Sequence, residues 1–502
     1  MSQPNSSASH TGLVTISVML ATIMQALDTT IANVALPHMQ GSVGATQDQI
    51  SWVLTSYIVA AAICMPLTGF LTARFGRKRI FLIAVTGFTL ASMLCGAAQS
   101  LNQIVLFRLL QGVFGASLVP LSQSVLLDTY PKEQHAKAMA LWGMGVMVGP
   151  ILGPSLGGWL TEYYNWRWVF YINIPFGLLA WFGLNRFVAE TPKSNQLKFD
   201  WLGFLLLTIA IGSLQLMLDR GELLNWFSSP EIMTEAVISA LAFYLFIVHI
   251  TTSQAPFLEP GLFKDKNFAA GLLLIFVIGI VLLATMALLP PMMQHLMGYP
   301  VLDVGLILAP RGFGTMFAMM LVGRLSGKFD PRYKILFGLI LTSFSLWQVS
   351  TFTQDTAASD IILNGIIQGI GLGFAFVPLS AISFSTLAPQ YRNHGTALFS
   401  LVRNIGSSIG ISIVMAYLAQ HTQMNHAAFA GFIEQDNVAL KQAVDAGLYD
   451  LDSAASLLTL NNQINQQASL LAYLQDFKLM MWITLCAIPL LVLLKNPLKK
   501  PA

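Results

Sequence analysis

Residues 143–158 read GMGVMVGPILGPSLGG, a segment in which seven glycines and prolines occur between Gly145 and Gly158. So many of them would destabilise a soluble helix, because glycine adds backbone freedom and proline removes a hydrogen bond. In lipid, small residues instead let helices approach closely, and neighbouring helices satisfy the backbone where a proline bends the axis. The segment therefore predicts a kinked, closely packed transmembrane helix at a seam between two moving parts. The residues are Gly145, Gly149, Pro150, Gly153, Pro154, Gly157 and Gly158.

The composition of the whole chain is also that of a membrane protein. The 502 residues are 55% apolar and only 10% charged, whereas a soluble domain carries about 25% charged residues. This composition excludes a secreted disulfide scaffold, a disordered protein and an ordinary cytosolic enzyme, and a net charge of +3 gives no reason to expect nucleic-acid binding. The cysteines lie in apolar runs and are predicted to be free thiols, so no metal or cofactor site is expected.

The apolar segments predict an all-α integral membrane protein with 14 transmembrane helices. A helix needs about 20 apolar residues to cross the hydrocarbon, and lipid leaves no other partner for the backbone. The predicted spans are 13–36, 50–73, 80–98, 102–126, 137–160, 167–187, 201–219, 232–252, 268–294, 302–325, 333–352, 361–385, 396–420 and 474–494.

The chain repeats itself at a spacing of half its length. PKEQHAKAMALW (131–142) resembles PQYRNHGTALFS (389–400), and QGVFGASLVPLS (111–122) resembles QGIGLGFAFVPLS (368–380). This predicts two pseudo-symmetric six-helix bundles with two inserted helices, an architecture that allows alternating access to a central site. The predicted segments are a tail 1–12, a first bundle 13–187, a linker with two helices 188–267, a second bundle 268–495 and a tail 496–502.

The basic residues predict the orientation. Of the 26 lysines and arginines, 19 fall on the side of the two termini and three on the other side. Because cytoplasmic loops are enriched in these residues, both termini are expected in the cytoplasm. The segment 421–473 then faces outward. Docking of a periplasmic partner and a simple connecting hairpin both remain open for it.

Asp28 is the leading candidate for a proton carrier. It is the one acidic residue that falls well inside a predicted span, while the others fall in loops or near span ends. An ionised and unpaired carboxylate is costly in lipid, so this side chain must be protonated, paired with a cation or placed in a hydrated cavity. Arg108 is the expected partner, because rises of about 1.5 Å per residue place the two at depths of about 13 and 9 Å. A static structural ion pair is the alternative.

Other polar side chains in predicted spans are candidates for a substrate cavity. Arg311 and Arg403 are intramembrane cations that either attract anionic groups or pair with backbone carbonyls. The remaining candidates are Gln25, Asn33 and Gln111. The second half has no counterpart of Asp28, because aligning Pro37 with Pro291 puts Leu282 at its position.

Taken together, these motifs resemble the major facilitator superfamily, and within it the EmrB-type permeases of the branch of 14-span drug:proton antiporters. The segment from Gly149 to Pro154 is similar to the antiporter motif of that superfamily. Further matches are the first-span signature LDTTIANVALP (27–37), the loop signature GFLTARFGRKR (69–79), the span-4 motif RLLQG (108–112) and the EmrB-type segment SLQLMLDRGELLNWFSS (213–229).

The resemblance implies a proton-driven exporter of hydrophobic toxic compounds rather than an enzyme. EmrB-type members work in the inner membrane with a periplasmic adaptor and an outer-membrane channel. By motif match, Asp28 and Arg108 carry the proton coupling. A cytoplasmic loop that latches the two halves is implied for Gly69, Arg74, Gly76, Arg77 and Lys78.

Two points remain open at this stage. Ala73 stands where the loop signature usually has an acid, so the basic cluster needs acids from elsewhere in the chain or lipid phosphates. The same scaffold also fits an exporter of a metabolite such as a siderophore, lipid or amino acid. A membrane-bound enzyme or sensor lacks a recognisable catalytic cluster here, and an importer is disfavoured only by family analogy.

Overall fold

The structure is a computed structural model that describes residues 8–193, 199–254, 256–325, 329–433, 437–451 and 453–495. Within these ranges every regular element is an α-helix or a short 3₁₀ helix, which confirms the predicted all-α fold. Positions 1–7, 194–198 and 496–502, which belong to the predicted tails and linker, lie outside the described residues.

The first half is built from helices that alternate between continuous and broken spans. They are α1 Ala8–Val43, α2 Gln47–Ile50, α3 Trp52–Cys64, α4 Leu67–Phe75, α5 Arg77–Ala97, α6 Leu101–Gly115, α7 Leu118–Thr129, α8 His135–Tyr163, α9 Trp168–Tyr171 and α10 Asn173–Phe187.

Prolines explain two of the breaks. Pro66 separates α3 from α4, and the two helices are bent by 55°. Pro120 follows the gap between α6 and α7, where its ring would clash with the carbonyl of Ala116, four residues earlier. Each pair therefore represents one predicted span that is broken near its middle.

Two inserted helices and the second half complete the fold. The insert consists of α11 Trp201–Arg220 and α12 Pro230–Thr252. The second half comprises α13 Lys266–His295, α14 Val301–Arg324, α15 Pro331–Val349, α16 Ala358–Ser385, α17 Arg392–Ala430, α18 Val438–Asp445 and α19 Ala454–Cys486. The 3₁₀ helix Ile488–Leu493 continues the last span.

The helices fit the predicted count of spans without establishing it. Among the described residues, 12 helices are long and apolar enough to cross a membrane, and the bent pair α3–α4 makes a thirteenth. The remaining predicted span corresponds to α15, which has 19 residues. Its apolar part is shorter, because Arg332 and Lys334 occupy its first turn and Gln348 lies near its end. The fourteenth span therefore stays a prediction.

Equivalent helices pair in the two halves, and α8 lies at the seam between them. In the first half α1 packs on α8, and in the second half α13 packs on α17. α8 also packs along α14. On α8, Trp142 stacks on Phe376 of α16 with 5.9 Å between ring centroids, so aromatic packing joins the halves next to the glycine-rich segment.

The bundle has two chemically different ends. One end, called the basic end below, carries the loop between α4 and α5 with its RFGRKR sequence. The other, called the hairpin end, is where α17 and α19 continue for 39 and 33 residues, well beyond the about 20 that a membrane requires. There Asn425 donates a 3.3 Å hydrogen bond to the carbonyl of Ala468, so the extensions pair as an antiparallel hairpin.

Candidate functional site

Asp28, in the interior of α1, is the centre of a buried polar cluster. Its Oδ2 lies 2.7 Å from Nη1 of Arg108 on α6. Its Oδ1 accepts hydrogen bonds of 2.8 Å from the amides of Gln111 and Asn173. The side chains of Asp28 and Arg108 are each only 1% exposed. The three donors replace the water that the carboxylate has lost, so this site stabilises an ionised aspartate.

Arg108 is held by several groups besides Asp28. Its Nη1 also donates to Oε1 of Gln111 at 2.7 Å, and its Nε donates to the carbonyl of Val53 at 3.0 Å. The guanidinium carbon lies 4.4 Å from the ring centroid of Tyr57, which adds a cation–π contact. Gln25 donates a 3.1 Å hydrogen bond to the Tyr57 hydroxyl and so orients that ring.

The close approach of α3 and α6 brings Arg108 to these partners. At Gly112, one turn after Arg108, an added Cβ would lie 2.4 Å from the backbone oxygen of Tyr57. Only glycine therefore allows this helix spacing. The RLLQG segment thus supplies the cation, the amide and the contact point from consecutive turns of one helix.

Asn173 is the member of the cluster that sequence reasoning missed. It begins α10, and its amide nitrogen donates both to Asp28 and to Oγ of Ser92, the latter at 2.9 Å. Ser92 in turn donates to the carbonyl of Phe170. An asparagine within the apolar run FYINIPFG was the available signal.

The arrangement can bind or release a proton in a way that changes its contacts. Protonation of Asp28 would neutralise the carboxylate and remove the charge that balances Arg108. A buried cation without its partner raises the free energy of this arrangement. The surrounding helices are therefore expected to rearrange. The sequence argument proposed this chemistry for the pair, and the geometry brings the two residues together for it.

The other cavity candidates fall in different environments. Gln111 is fully buried within the Asp28 cluster and does not face open space. Asn33 is exposed and donates to the carbonyl of Thr29. Arg311 is buried, and its Nη2 has no hydrogen-bond partner among the described residues. Arg403 is half-buried, and its Nη2 lies 3.5 Å from Oδ1 of Asn404.

The glycines of α8 allow close contact with α1, the helix that carries Asp28. An added Cβ at Gly149 would lie 2.5 Å from the backbone oxygen of Ala26, and one at Gly153 would lie 2.1 Å from Oγ1 of Thr30. Thr30 also donates to the carbonyl of Gly149 at 3.1 Å. The helix continues through Pro150 and Pro154, although the side chain of Pro154 lies outside the described part of the structure.

The remaining glycines of the segment are less tightly packed. A Cβ at Gly145 or Gly157 would stay at least 3.2 Å from its neighbours, and one at Gly158 would meet nothing within 4 Å. On the side of α8 that faces the second half, Ile151 occupies the space over Gly312 of α14. Close packing of this helix is thus concentrated at Gly149, Gly153 and the contact with α14.

At the basic end, one carboxylate joins the two halves. Asp128, near the end of α7, forms ion pairs with both Arg77 of α5 and Arg392 of α17. Both arginines are buried, while the side chain of Asp128 is one-third exposed. Beside them, Ser124 donates to the side chain of Asn393. The predicted latch residue Arg77 therefore reaches the second half through a shared acid.

A second acid organises the loop itself. Glu190, after α10, accepts hydrogen bonds from the backbone N–H groups of Lys78 and Arg79 at 3.0 and 3.2 Å. The Glu190 carboxylate occupies the space that a Cβ at position 76 would need. Gly76 also has a φ of +92°, a backbone conformation that glycine adopts readily. Asp128 and Glu190 thus supply the negative charge that Ala73 does not.

The two remaining latch candidates lie on α4. An added Cβ at Gly69 would meet the ring of His394 on α17 at 2.3 Å, so α4 and α17 touch directly. The Arg74 guanidinium carbon lies 5.8 Å from the ring centroid of Phe75.

A second buried carboxylate corrects the expectation that Asp28 was alone. Asp476 on α19 is 0% exposed, and neither of its carboxyl oxygens has a hydrogen-bond partner among the residues that the structure describes. The predicted span began at 474 and placed this residue near its end, but the helix begins at Ala454. The signal available in the sequence was the helical spacing of Tyr473, Asp476 and Met480, which places the three residues on one buried face of the helix.

Comparison with known proteins identifies relatives over nearly the whole chain. The sequence matches the family model of the Major Facilitator Superfamily over residues 18–411. It is 35% identical over 486 residues, 96% of each chain, to the "Fatty acid resistance protein FarB" of Neisseria gonorrhoeae. It is 38% identical over 417 residues, 83% of this chain and 81% of the relative, to the "Multidrug export protein EmrB" of Escherichia coli strain K12.

A solved structure shares the fold. The human organic anion transporter MFSD10 (TETRAN) aligns with a TM-score of 0.62, covering 97% of this chain and 100% of the other. The two sequences are only 14% identical, so this likeness concerns the fold alone.

Proposed function

This chain belongs to the major facilitator superfamily, and we propose that it exports hydrophobic toxic compounds across the bacterial inner membrane in exchange for protons. The observation that carries this proposal is the buried pair of Asp28 and Arg108, 2.7 Å apart, with both side chains 1% exposed. An ion pair removed from water inside a membrane domain is costly to build. Its use as a proton site gives that arrangement a function.

The proposed cycle uses the charge of Asp28 to couple proton entry to substrate release. A proton from outside neutralises Asp28 and releases Arg108 from its ion pair. Gln111 and the Val53 carbonyl still accept from Arg108, so the cation keeps neutral partners while α1 and α6 shift. Substrate leaves outward, and the protein returns to its other state, in which the proton is released inward.

The contacts at the basic end suggest which state this structure represents. Asp128 ties Arg77 of the first half to Arg392 of the second. We assign the basic end, and with it both termini, to the cytoplasm, because cytoplasmic loops are enriched in lysine and arginine. The halves are then latched on the cytoplasmic side, as an outward-facing transporter requires.

The substrate class follows from the cations of the second half. Arg311 has a buried nitrogen without a hydrogen-bond partner, and Arg403 has only a long contact with Asn404. Buried guanidinium groups favour anions. We therefore propose that substrates include amphipathic organic acids, which agrees with the names of a fatty-acid resistance protein and a multidrug exporter among the relatives.

The hairpin end offers a surface for a periplasmic adaptor that leads to an outer-membrane channel. The segment that runs from the end of α17 into the first turns of α19 exposes several large apolar side chains, which are costly to leave in water. They are Phe432, Val438, Leu448, Leu457 and Leu458. Replacing Val438, Leu448 and Leu458 together with serine is expected to abolish co-purification of an adaptor from the native host, while transport in liposomes stays unchanged.

Substrate-driven proton movement in liposomes tests the exporter itself. Ethidium serves as a hydrophobic cation and anilinonaphthalene sulfonate as a hydrophobic anion, and neither carries protons across lipid. Wild-type protein is expected to move protons when either is transported, and Asp28→Asn to lose this coupling. The matched control is Asp355→Asn, which makes the same change at an exposed acid. Normal transport by folded Asp28→Asn protein would refute the mechanism.

A further inference from the structure

We propose that Asp476 is a second proton-binding site, occupied in this conformation and emptied when α17 and α19 move apart. The proposal rests on the proposed antiport function and adds a second proton to it. Asp476 is fully buried, and both of its oxygens lack a hydrogen-bond partner. An isolated ionised carboxylate in such a place is far too costly, so the group takes up a proton instead.

The surroundings of Asp476 are largely apolar in the part of the chain that the structure describes. Its neighbours along the buried face of α19 include Tyr473, Phe477 and Met480, which pack in one core cluster with Val414 of α17. None of the ion pairs among the described residues involves Asp476.

The ionisable groups on the packed elements do not change this conclusion. α17 contributes Tyr417, whose hydroxyl interacts electrostatically with Asp476, and His421, whose ring stacks on Tyr417. α19 itself contributes Tyr473 and the exposed Lys478. The other packed helices carry their ionisable groups only in end turns, at Lys266, His295, Arg332, Tyr333 and Lys334, and the 3₁₀ helix Ile488–Leu493 carries none.

A continuous helix connects this site to the latch between the halves. α17 runs without a break from Arg392, which pairs with Asp128 of the first half, past Tyr417 to Ala430. At about 1.5 Å per residue the 25 residues from Arg392 to Tyr417 span about 38 Å. Opening of the latch is expected to tilt helix α17 as a unit. This tilt changes the contacts between α17 and α19 around Asp476.

The position of the site suggests where its proton is exchanged. On the hairpin side of Asp476, Asn425 of α17 bonds to both the Ala468 carbonyl and the Gln475 side chain of α19. These polar groups line the same seam at the hairpin end. In the proposed cycle the proton reaches Asp476 from the outside along this seam. When the latch opens and α17 tilts against α19, the carboxyl group ionises and its proton leaves toward the basic end, so that the proton is moved from outside to inside.

Infrared spectroscopy tests the protonation of Asp476 directly. The purified full-length protein at neutral pH is expected to show the C=O stretch of a protonated carboxyl group in an apolar environment. Asp476→Asn should lose this band, and Asp28→Asn should keep it because Asp28 is ionised. Asp476→Leu serves as a second variant that fills the same core position. Absence of the band in wild type, or its survival in both Asp476 variants, would overturn the proposal.

The number of protons moved per substrate tests whether the site takes part in transport. With ethidium in liposomes, Asp476→Asn is expected to keep transporting while the proton count falls by about one per substrate. Asp355→Asn should leave the count unchanged. An unchanged count in folded Asp476→Asn, with the infrared band lost, would make Asp476 a permanently neutral structural group and reject the proposal. Failure of wild type to transport either ethidium or anilinonaphthalene sulfonate would instead reject the antiport function.

Discussion

Asp28 and Asp476 are equally buried but have opposite surroundings. Asp28 receives hydrogen bonds from Arg108, Gln111 and Asn173, whereas Asp476 receives none. Both lie inside helices of the membrane domain, and their exposed fractions are 1% and 0%. Burial alone therefore does not decide the charge of a carboxylate. Donors from neighbouring helices favour the charged form of Asp28, whereas Asp476 has no such donor among the described residues.

The same contrast separates the two halves of the molecule. The first half pairs its deep acid with a cation, and Leu282 stands at the position that corresponds to Asp28 in the second half. The second half instead has a buried arginine nitrogen without a partner and a buried acid without a partner, on different helices. Related helical scaffolds thus separate the ion pair that we propose as a proton switch from the groups that we propose for substrate recognition and for a second proton.

The largest expected effect comes from removing the cation of the first site. Arg108→Leu gives Asp28 surroundings more like those of Asp476 and should make it neutral. Breaking a buried ion pair from one side costs about 3–5 kcal/mol, and coupled transport should be lost. A new infrared band of a protonated carboxyl group is the check on Asp28.

Two variants make this first prediction decisive. Arg186→Leu changes an exposed arginine of α10 and should alter neither stability nor the spectrum. Adding Asp28→Asn to Arg108→Leu should recover part of the lost stability and remove the new band, since the two changes act on one pair. An Arg108→Leu spectrum identical to that of wild type would show that the amides alone keep Asp28 ionised.

The next effect concerns those amides. Gln111→Leu removes one donor to Asp28 and one acceptor for Arg108. Hydrogen bonds to charged groups contribute about 1.5–3 kcal/mol, so unfolding should become easier by that amount. Thermal unfolding of the purified variant measures this loss of stability. Gln99→Leu, at an exposed glutamine, is the control.

Close packing around Asp28 gives a third and smaller effect. Gly149→Ala places a Cβ against the backbone of Ala26, two residues before Asp28, so α1 and α8 must separate. Overpacking of this kind costs about 1–3 kcal/mol. Gly158→Ala, on the same helix with nothing within 4 Å, should be neutral or slightly stabilising. Equal losses of thermal stability in both variants would contradict the packing argument.

The sequence predicted the features that depend on local pattern. Apolar length predicted the helices, and depth arithmetic along α1 and α6 placed Asp28 near Arg108. The resemblance to the major facilitator superfamily, stated from the motifs, is confirmed by the match over residues 18–411. These inferences needed only the helical rise and the cost of charge in lipid.

Other features required the tertiary arrangement. Asn173 joins Asp28 only because α10 begins beside α1, and Asp128 and Glu190 replace the acid missing at Ala73 only because loops distant in sequence converge at the basic end. Asp476 was assigned to the end of a span because the apolar run that predicts this span begins only at 474, after the Asn/Gln-rich start of α19. Contacts between distant segments leave no periodic signal in one sequence.

The smallest effect is expected at Asp200, which gives a reference carboxylate outside the membrane helices. Burial acts to raise its pKa, but hydrogen bonds from the backbone of Gly203 and Phe257 and from His249 lower the pKa below its ordinary value. The ionised form is therefore favoured by folding, so its stabilisation is present above the pKa of the unfolded chain and is lost as pH falls through the folded value.

Asp200→Asn should lower stability by up to about 1 kcal/mol at neutral pH, because it removes the negative charge that the start of α11 and His249 stabilise. The loss should shrink on acidification, when the wild-type carboxylate is also neutral. Thermal unfolding at several pH values measures both effects, and proton-coupled transport should be unchanged. A stability loss that grew in acid would instead mean that wild-type Asp200 gains a proton on folding, as we propose for Asp476. Hydrogen-bond partners alone would then not explain the charge of a carboxylate in this chain.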